Sequence, residues 1–166
     1  MSQENTGSDK LQQREMEAVT DDRERFKPIT PEMAQMMERR LRQNLFADHL
    51  GVRIVEIREG YAECELEIRE EFLNPSRVIH GGCIYTLADV TVGNAAASYG
   101  MTAPTLDSNL HFMANAKGVK KIKAVAKEIH HGRTVMVFSV SVFDDTGRTF
   151  AAGTFSFFNT NKKFSF

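Results

Sequence analysis

Helical and strand periodicities alternate along the chain, and the longest apolar stretch lies near its middle. From Gly81 to Ala97 nearly every position is apolar or small, directly after a loop that ends in His80. A helix that is apolar on every side is buried by the rest of its domain. Its length of about 16 residues, or roughly 24 Å, is too short for a membrane span. The pattern therefore predicts the central buried helix of a soluble domain.

A second helical pattern precedes the central one. Thr30 can cap a helix and Pro31 suits its first position, while Gly51 marks the expected end. Between them, apolar side chains recur at spacings of three and four: Met33, Met36, Met37, Leu41 and Leu45. The spacing predicts one helix over 31–50, laid on the edge of the domain. Residues 1–28 are too polar to bury much surface, so we expect a tail there, with a short helix over 11–19.

The remaining segments alternate with a period of two, which is typical of strands with one buried face. Over 61–69, Ala62, Cys64, Leu66 and Ile68 alternate with Glu63, Glu65, Glu67 and Arg69, which we expect in solvent. Five further strands are predicted over 52–58, 105–113, 119–129, 133–143 and 148–159, with turns at His130-His131-Gly132 and Asp144-Asp145-Thr146-Gly147. The fold class is therefore α+β, an antiparallel sheet of about six strands wrapped round the long helix. Exposed sheet edges favour pairing with a second copy.

Composition narrows the function. The chain has 166 residues and a formal net charge of -1. We expect one domain over 29–166 after the tail, and no nucleic-acid or membrane partner. No signal-peptide pattern is visible, which favours the cytoplasm. Cys64 and Cys83 have neither disulfide nor metal spacing, so we expect reduced core residues.

Candidate chemistry lies at the start of the central helix. A helix N-terminus presents unpaired N–H groups, and Gly81 and Gly82 would let a substrate carbonyl approach them closely. The alternative is that the two glycines only make the corner tight. His80 is a candidate base or a residue that holds the loop, and Cys83 is a weaker candidate nucleophile. The pair His130-His131 has no further ligands nearby in sequence, so we expect no metal site.

Asp89 is the acid of the central helix. Together with Asp107 it is one of two carboxylates between Val78 and Ala116, a stretch without Lys or Arg. It lies roughly 12 Å along the axis from Gly81, too far to act on a carbonyl at its own helix start. Two such helices related by a two-fold axis would bring one chain's Asp89 to the other's Gly81. Burial raises the pKa of an acid and suits a general base or nucleophile. A structural Asp bonded to Thr86 or Thr91 is the equal alternative.

These residues together resemble a family signature. Asn74, then His80-Gly81-Gly82, then Leu87-Ala88-Asp89 are similar in type and spacing to hotdog-fold acyl-CoA thioesterases of the phenylacetate-degradation (PaaI-like) type. The similarity spans about residues 44–158. It implies hydrolysis of an acyl-CoA to the free acid and CoA by a homodimer with shared active sites, the pairing of two dimers being left open. No metal or redox cofactor is implied, since coenzyme A is part of the substrate.

The resemblance also implies roles for particular positions. Gly81 would polarise the thioester carbonyl, and Asn74 would position the carbonyl or the water. Asp89 of the partner would activate water or attack directly, and Thr105 would hold that water. His80 completes the catalytic set, and Gly82 and Val90 are the expected substrate-binding neighbours, although relatives often carry Thr or Asn at position 90.

Two other functions remain as alternatives. The first is a non-catalytic acyl-CoA binding protein on the same fold. The second is a hydratase, whose Asp-x-Asn-x-x-His motif is approached by Asp107 to His111, but the spacing is short by one residue and we discount this function. The methionine-rich helix and 12 phenylalanines allow an aromatic or a medium-chain acyl group.

Overall fold

The computed structural model describes residues 14, 16–17, 21–115 and 117–164. Its helices are α1 (Pro31–Gln43), α2 (Leu45–Leu50) and α3 (Gly81–Ala97). Its strands are β1 (Arg53–Arg58), β2 (Tyr61–Glu67), β3 (Thr105–Phe112), β4 (Lys121–His131), β5 (Val135–Asp144) and β6 (Thr149–Phe158). Short 3-10 turns lie at Asp22–Arg25 and Glu70–Phe72. Most of the helix expected over 11–19 lies outside the described residues. Within that range the structure describes residues 14, 16 and 17, and these are helical.

All six strands form one antiparallel sheet in the order β1-β2-β4-β5-β6-β3. The α+β class and the predicted sheet are confirmed. Strands β1 and β3 are the two edges, and β3 bonds only β6 among the described strands. β3 reaches that edge by a crossover, because α3 lies between β2 and β3 in the chain.

Helix α3 packs on one face of the sheet, mainly against β2, β4 and β5. Its buried apolar residues make the core with the inward side chains of the strands: Ile84, Leu87, Ala88, Val90, Val92, Ala95 and Ala96. The sheet wraps α3 as predicted, but in the single chain the burial of the helix is incomplete. One stripe of the helix remains accessible at Gly82, Tyr85, Thr86, Asp89 and Gly93. These positions recur at spacings of three and four, so they share one helical face.

The expected single helix over 31–50 is two helices. Thr30 caps α1 by accepting from the Met33 N–H at 3.2 Å, as predicted. Helix α1 ends at Gln43 because Asn44 leaves the helical region, at φ -78° and ψ 84°, and its side chain accepts from the Ala47 N–H to cap α2. This hydrogen bond to an N–H group in the first turn of α2 compensates for the helical hydrogen bond that is lost where α1 ends. Gly51, at φ 84°, ends α2 where the sequence placed the stop.

Strand β2 departs from the simple alternation. Ala62, Cys64 and Leu66 are buried as expected, but Glu63 is also buried, with 1% of its surface exposed. Its carboxylate accepts from the Tyr61 hydroxyl and from Lys123 Nζ, each at 2.5 Å. A buried carboxylate with these two donors keeps its hydrogen bonds without water.

Residues 21–28 explain this burial, because they lie against the outer face of the sheet. The Phe26 ring lies 5.3 Å from the Tyr61 ring, and Pro28 forms a bridge with Arg58. Ion pairs fasten the segment: Asp22–Lys127, Arg23–Glu56, Glu24–Arg58 and Lys27–Glu59. We name residues 21–28 the N-terminal strap; the sequence analysis assigned them to a polar tail.

The histidine pair is also placed differently from the prediction. His130 and His131 are not in a turn but extend β4, pairing with Val137 and Met136 across a bulge after Glu128. The turn follows at Gly132. The Asp144–Gly147 turn is confirmed, with Gly147 bonded back to Asp144.

Within the described ranges, no helix is both long and apolar enough to cross a bilayer. The same residues contain no group of three or more His, Cys, Asp or Glu side chains that could hold a metal ion.

Candidate functional site

The start of α3 offers one backbone donor, not two. His80 is the N-cap, and its Nδ1 accepts from the Gly82 N–H at 2.9 Å. Within the described part of the chain, the Gly81 N–H has no hydrogen-bond partner. From the residues alone either glycine could be the donor, and the resemblance assigned that role to Gly81; in the structure only the Gly81 N–H is left available. His80 therefore organises the corner, since its Nδ1 is occupied as an acceptor.

Asn74 shapes the loop that leads into this corner. Its Oδ1 accepts from the N–H groups of Ser76, at 2.9 Å, and Val78, at 3.2 Å. Its own N–H donates to the Val78 carbonyl at 2.8 Å. The acceptor half of the side-chain amide is thus used within the loop, and the amide NH₂ is the half left for a substrate or water.

A groove opens beside the Gly81 N–H. It has a volume of about 470 Å³ and is lined by Val78, Ile79, Gly81, Ile84, Phe112, Met113, Ala114 and Asn115. The Phe112 ring approaches closely enough that a Cβ on Gly81 would lie 3.5 Å from it. A cavity of this size falls within the usual range of about 300–1,000 Å³ for small-molecule sites.

Asp89 lies on the accessible stripe of α3 and is half-buried. Burial raises the pKa of its carboxyl group, and a hydrogen bond with Thr105 partly offsets that rise. Thr105 is the first residue of β3. The structure therefore brings together the acid and the strand hydroxyl that the resemblance paired.

The alternative partners of Asp89 are excluded by their own bonds. The Thr86 hydroxyl donates to the Gly82 carbonyl at 2.8 Å, and the Thr91 hydroxyl donates to the Leu87 carbonyl at 2.6 Å. Both are bonds to the preceding helical turn, a common arrangement for threonine in a helix. Neither hydroxyl is therefore the structural partner that the sequence analysis left open for Asp89.

Val90 is buried, and Cys83 does not have the surroundings of a nucleophile. Val90, expected to contact substrate, belongs to the core and is 8% exposed. Burial raises the pKa of the Cys83 thiol, the opposite of the shift that would favour a thiolate at a helix start. The histidine pair is similarly remote: His131 Nδ1 bonds Glu128 at 2.7 Å, and its ring packs on Tyr99.

Sequence reasoning missed two residues of this face. Tyr85 is 38% exposed on the accessible stripe, and its hydroxyl hydrogen-bonds the Ser108 hydroxyl of β3. Phe112, at the end of β3, forms the wall next to Gly81. Tyr85 was detectable, since it lies one turn before Asp89. Phe112 had no local signal, because its contact joins elements 31 positions apart.

One chain therefore holds two separate groups. Gly81, His80, Asn74 and Phe112 surround the helix start, whereas Asp89 and Thr105 lie two turns further along the same face. At 1.5 Å per residue the groups are roughly 12 Å apart along the axis. A reacting carbonyl at Gly81 is beyond the reach of Asp89 in the same chain.

Comparison with known proteins decides the family. A profile described as "Thioesterase superfamily" matches residues 77–151. A putative esterase of Archaeoglobus fulgidus is 30% identical over 139 residues, covering 81% of this chain and 90% of the relative. The chain belongs to the thioesterase superfamily. It is a hotdog-fold thioester hydrolase of the PaaI-like type, as the resemblance implied.

Two further proteins support this assignment. The acyl-coenzyme A thioesterase PaaI of Escherichia coli is 26% identical over 105 residues, covering 63% of this chain and 75% of the relative. The solved structure of E. coli PaaI shares the fold, with a TM-score of 0.75 at 21% identity over 81% of this chain and 98% of that one. A Streptococcus pneumoniae hypothetical thioesterase, solved with coenzyme A, has a TM-score of 0.69 and 26% identity over 75% of this chain and 99% of that one.

Proposed function

We propose that this thioesterase hydrolyses an acyl-CoA to the free acid and CoA. The observation that carries the proposal is the pair of groups on one face of α3: an available Gly81 N–H beside a groove lined by uncharged residues, and a half-buried Asp89 whose pKa is raised by burial and lowered in part by Thr105. The E. coli relative named as an acyl-CoA thioesterase and the S. pneumoniae protein solved with coenzyme A support this substrate.

The separation of the two groups favours a shared site. β3 is an edge strand, with Leu106 55% and Phe112 54% exposed. Such an edge presents unpaired backbone groups that a second copy can satisfy. Two chains pairing through β3 would make one continuous sheet and a homodimer with two-fold symmetry.

The register of such a pairing is a specific part of the proposal. With the axis between Ser108 and Asn109, antiparallel β3 strands place Thr105 of one copy opposite Phe112 of the other. Phe112 lies next to Gly81, and Thr105 holds Asp89. The pairing therefore brings Asp89 of one copy toward Gly81 of the other, across the interface.

Each residue then has a chemical role. The thioester oxygen accepts from the Gly81 N–H, which stabilises the charge that develops on it. Asp89 of the second copy takes a proton from water while the water oxygen bonds to the carbonyl carbon, or it attacks that carbon itself to form a mixed anhydride that water then hydrolyses. In both routes the C–S bond breaks and CoA leaves as the thiolate. The amide NH₂ of Asn74 orients the carbonyl or the water. Backbone polarisation and base catalysis contribute about 10²-fold or more each.

The substitution Asp89→Asn tests this mechanism. We expect kcat to fall about 10²-fold or more, measured as thiol released from an acyl-CoA. The variant should remain folded and dimeric, with a Tm at neutral pH no lower than wild type. A raised pKa in the folded state means that this carboxyl group favours folding at low pH, and that this contribution is lost as pH rises through the folded pKa.

Asp48→Asn is the matched control. Asp48 is exposed and paired with Arg42, outside the site, so turnover should be unchanged. Near-normal turnover in Asp89→Asn would remove Asp89 from the mechanism. A wild-type protein that binds acyl-CoA tightly without releasing thiol would contradict the proposed reaction.

A further inference from the structure

Tyr85 of α3 is held against the sheet at two points. Its hydroxyl hydrogen-bonds the Ser108 hydroxyl of β3, and its ring centroid lies 5.7 Å from that of Phe155. Phe155 is the cross-strand neighbour of Ser108 on β6, so both contacts fix Tyr85 to one spot of the sheet. The side chain is nevertheless 38% exposed in the single chain. An aromatic ring that is held in place and partly open is well suited to contact a partner.

Tyr85 is central on both elements of the proposed interface. Along α3 it lies four residues after Gly81 and four before Asp89, a spacing that puts all three on one face of the helix. When two antiparallel helices bring Gly81 of one copy to Asp89 of the other, the residue halfway between them faces its own copy. Along β3, its partner Ser108 lies beside the two-fold axis of the proposed strand pairing. Helix and strand therefore place the same side chain at the same axis.

We propose that Tyr85 is a positioning residue shared by both active sites, because its two copies meet at the two-fold axis and each fixes α3 of its own chain to β3 there. The inference rests on the proposed function, which supplies the pairing of the chains. Gly81 and Asp89 each lie about one helical turn from Tyr85, roughly 6 Å along the helix axis. A shift of α3 at Tyr85 would therefore move the donor of one site and the acid of the other together.

The surroundings of Tyr85 make this contact testable with introduced charges. Between Val78 and Ala116 the sequence has no Lys or Arg, and its only carboxylates are Asp89 and Asp107. A charge introduced at position 85 would therefore have few charged neighbours near it in sequence, whereas its own copy in the partner would lie directly opposite. Two like charges there would repel each other, and two opposite charges would attract.

The first experiment mixes Tyr85→Lys with Tyr85→Glu and measures the fraction of mixed dimers by native mass spectrometry. Interactions of each new charge with other residues, Asp89 included, cancel when two homodimers exchange into two mixed dimers. Only the contact between the two side chains at position 85 then differs between the two states. The ratio of mixed to parent dimers should therefore exceed that of random pairing about tenfold or more.

Ile129→Lys mixed with Ile129→Glu is the matched control. Ile129 is 61% exposed on β4, which lies inside the sheet and not at its edge, so these variants should pair at random. Random pairing of the Tyr85 variants as well would overturn the inference. The measurement uses no acyl-CoA, so this result is separate from that of the proposed hydrolysis.

The second experiment tests positioning with conservative variants, so it decides the proposal even where the charged variants do not associate. Tyr85→Phe removes the bond to Ser108 and keeps the ring on Phe155. We expect kcat for acyl-CoA hydrolysis to fall about three- to tenfold with KM little changed, because the bond aligns the reacting groups and does not hold the substrate. Ser108→Ala should give the same fall, and the double variant no further fall. Ser108→Thr retains the hydroxyl and should keep most of the wild-type kcat.

Tyr99→Phe is the control for loss of a tyrosine hydroxyl. Tyr99 donates to Glu128 at 2.9 Å, away from β3, so this variant should keep the wild-type kcat. Losses that add in the double variant, or a lower Tm with kcat unchanged in Tyr85→Phe, would overturn the positioning role. Failure of the wild-type protein to cleave any acyl-CoA would instead contradict the proposed function itself.

Discussion

Asp89 combines two opposing influences on one carboxyl group. Burial raises its pKa, and the bond with Thr105 lowers it. The ionised form is the one that can accept a proton from water, so turnover should rise with pH through the pKa of Asp89. The position of that rise reports how strongly Thr105 stabilises the negative charge.

The substitution Thr105→Val should therefore move the acidic limb of the kcat/KM profile to higher pH. Removal of the bond disfavours the carboxylate, so the pKa of Asp89 increases further. At pH values below this limb we expect kcat/KM to fall about tenfold, and at pH values above it we expect a smaller fall. The measurement is thiol release from one acyl-CoA at a series of pH values.

Thr91→Val is the control for this change. This variant makes the same replacement on α3. The Thr91 hydroxyl donates to the Leu87 carbonyl and not to Asp89, so the acidic limb of the pH profile should not move. An unmoved limb in Thr105→Val would mean that Thr105 has no influence on the ionisation of Asp89.

At the scale of single residues, the sequence was informative where the relevant residues lie close together in the chain. The types and spacing of Asn74, His80 and Asp89 are enough to identify the candidate site from the sequence. Only the resemblance chose Gly81 over Gly82 as the donor, because the capture of the Gly82 N–H by His80 Nδ1 depends on a side-chain rotamer. Thr105 lies 16 positions after Asp89, so the sequence favoured the nearby Thr86 and Thr91 as its hydrogen-bond partners. In the structure both of these hydroxyls donate to backbone carbonyls instead.

At the scale of elements, the N-terminal strap is the main packing feature that the sequence did not predict. It covers Tyr61 and Glu63 on the outer face of the sheet, and Phe26 packs against a small cluster of Tyr61, Val125 and Phe143. The period-two pattern of β2 predicts that Glu63 lies in solvent. Nothing in the sequence near Glu63 indicates that the N-terminal strap, about 40 residues earlier in the chain, covers it. Ion pairs hold the strap, but its partly exposed pairs contribute little each.

Phe26→Ala should consequently destabilise the protein by about 1–2 kcal/mol, through loss of apolar contact with Tyr61. Urea unfolding followed by circular dichroism measures this. Phe46→Ala is the matched control, since Phe46 is 62% exposed and should change stability by less than about 0.5 kcal/mol. Equal stability of the two variants would mean that the strap does not stabilise the sheet.

The helices and strands themselves were largely predictable. Strand alternation placed Ala62, Cys64 and Leu66 inward, and Gly51 ended α2 where expected. The break at Asn44 was missed because the apolar spacing continues from Leu41 to Leu45 across it. His130 and His131 extend β4 because pairing with β5 outweighs the turn preference of the adjoining Gly132.

For the whole molecule, the proposed sharing of the site between two chains makes a quantitative prediction. Asp89→Asn and Gly81→Val should each be inactive alone, because each damages both sites of its homodimer. Co-expressed, they form mixed dimers in which one site combines an intact Gly81 with an intact Asp89. Random pairing should restore about a quarter of wild-type turnover.

Thiol release by the purified mixture measures the recovery, and each variant alone provides the baseline. Both variants should be dimeric by sedimentation before they are compared. Turnover in the mixture no greater than the sum of the two variants would place the whole site within one chain.

The bare edge of β3 has one more consequence. In the proposed shared site neither chain carries a complete set of reacting groups, so association and catalytic competence would be the same event. Turnover per chain would then decline on dilution below the dissociation constant of the pair. Newly made protein would gain activity with second-order kinetics, as copies accumulate and meet.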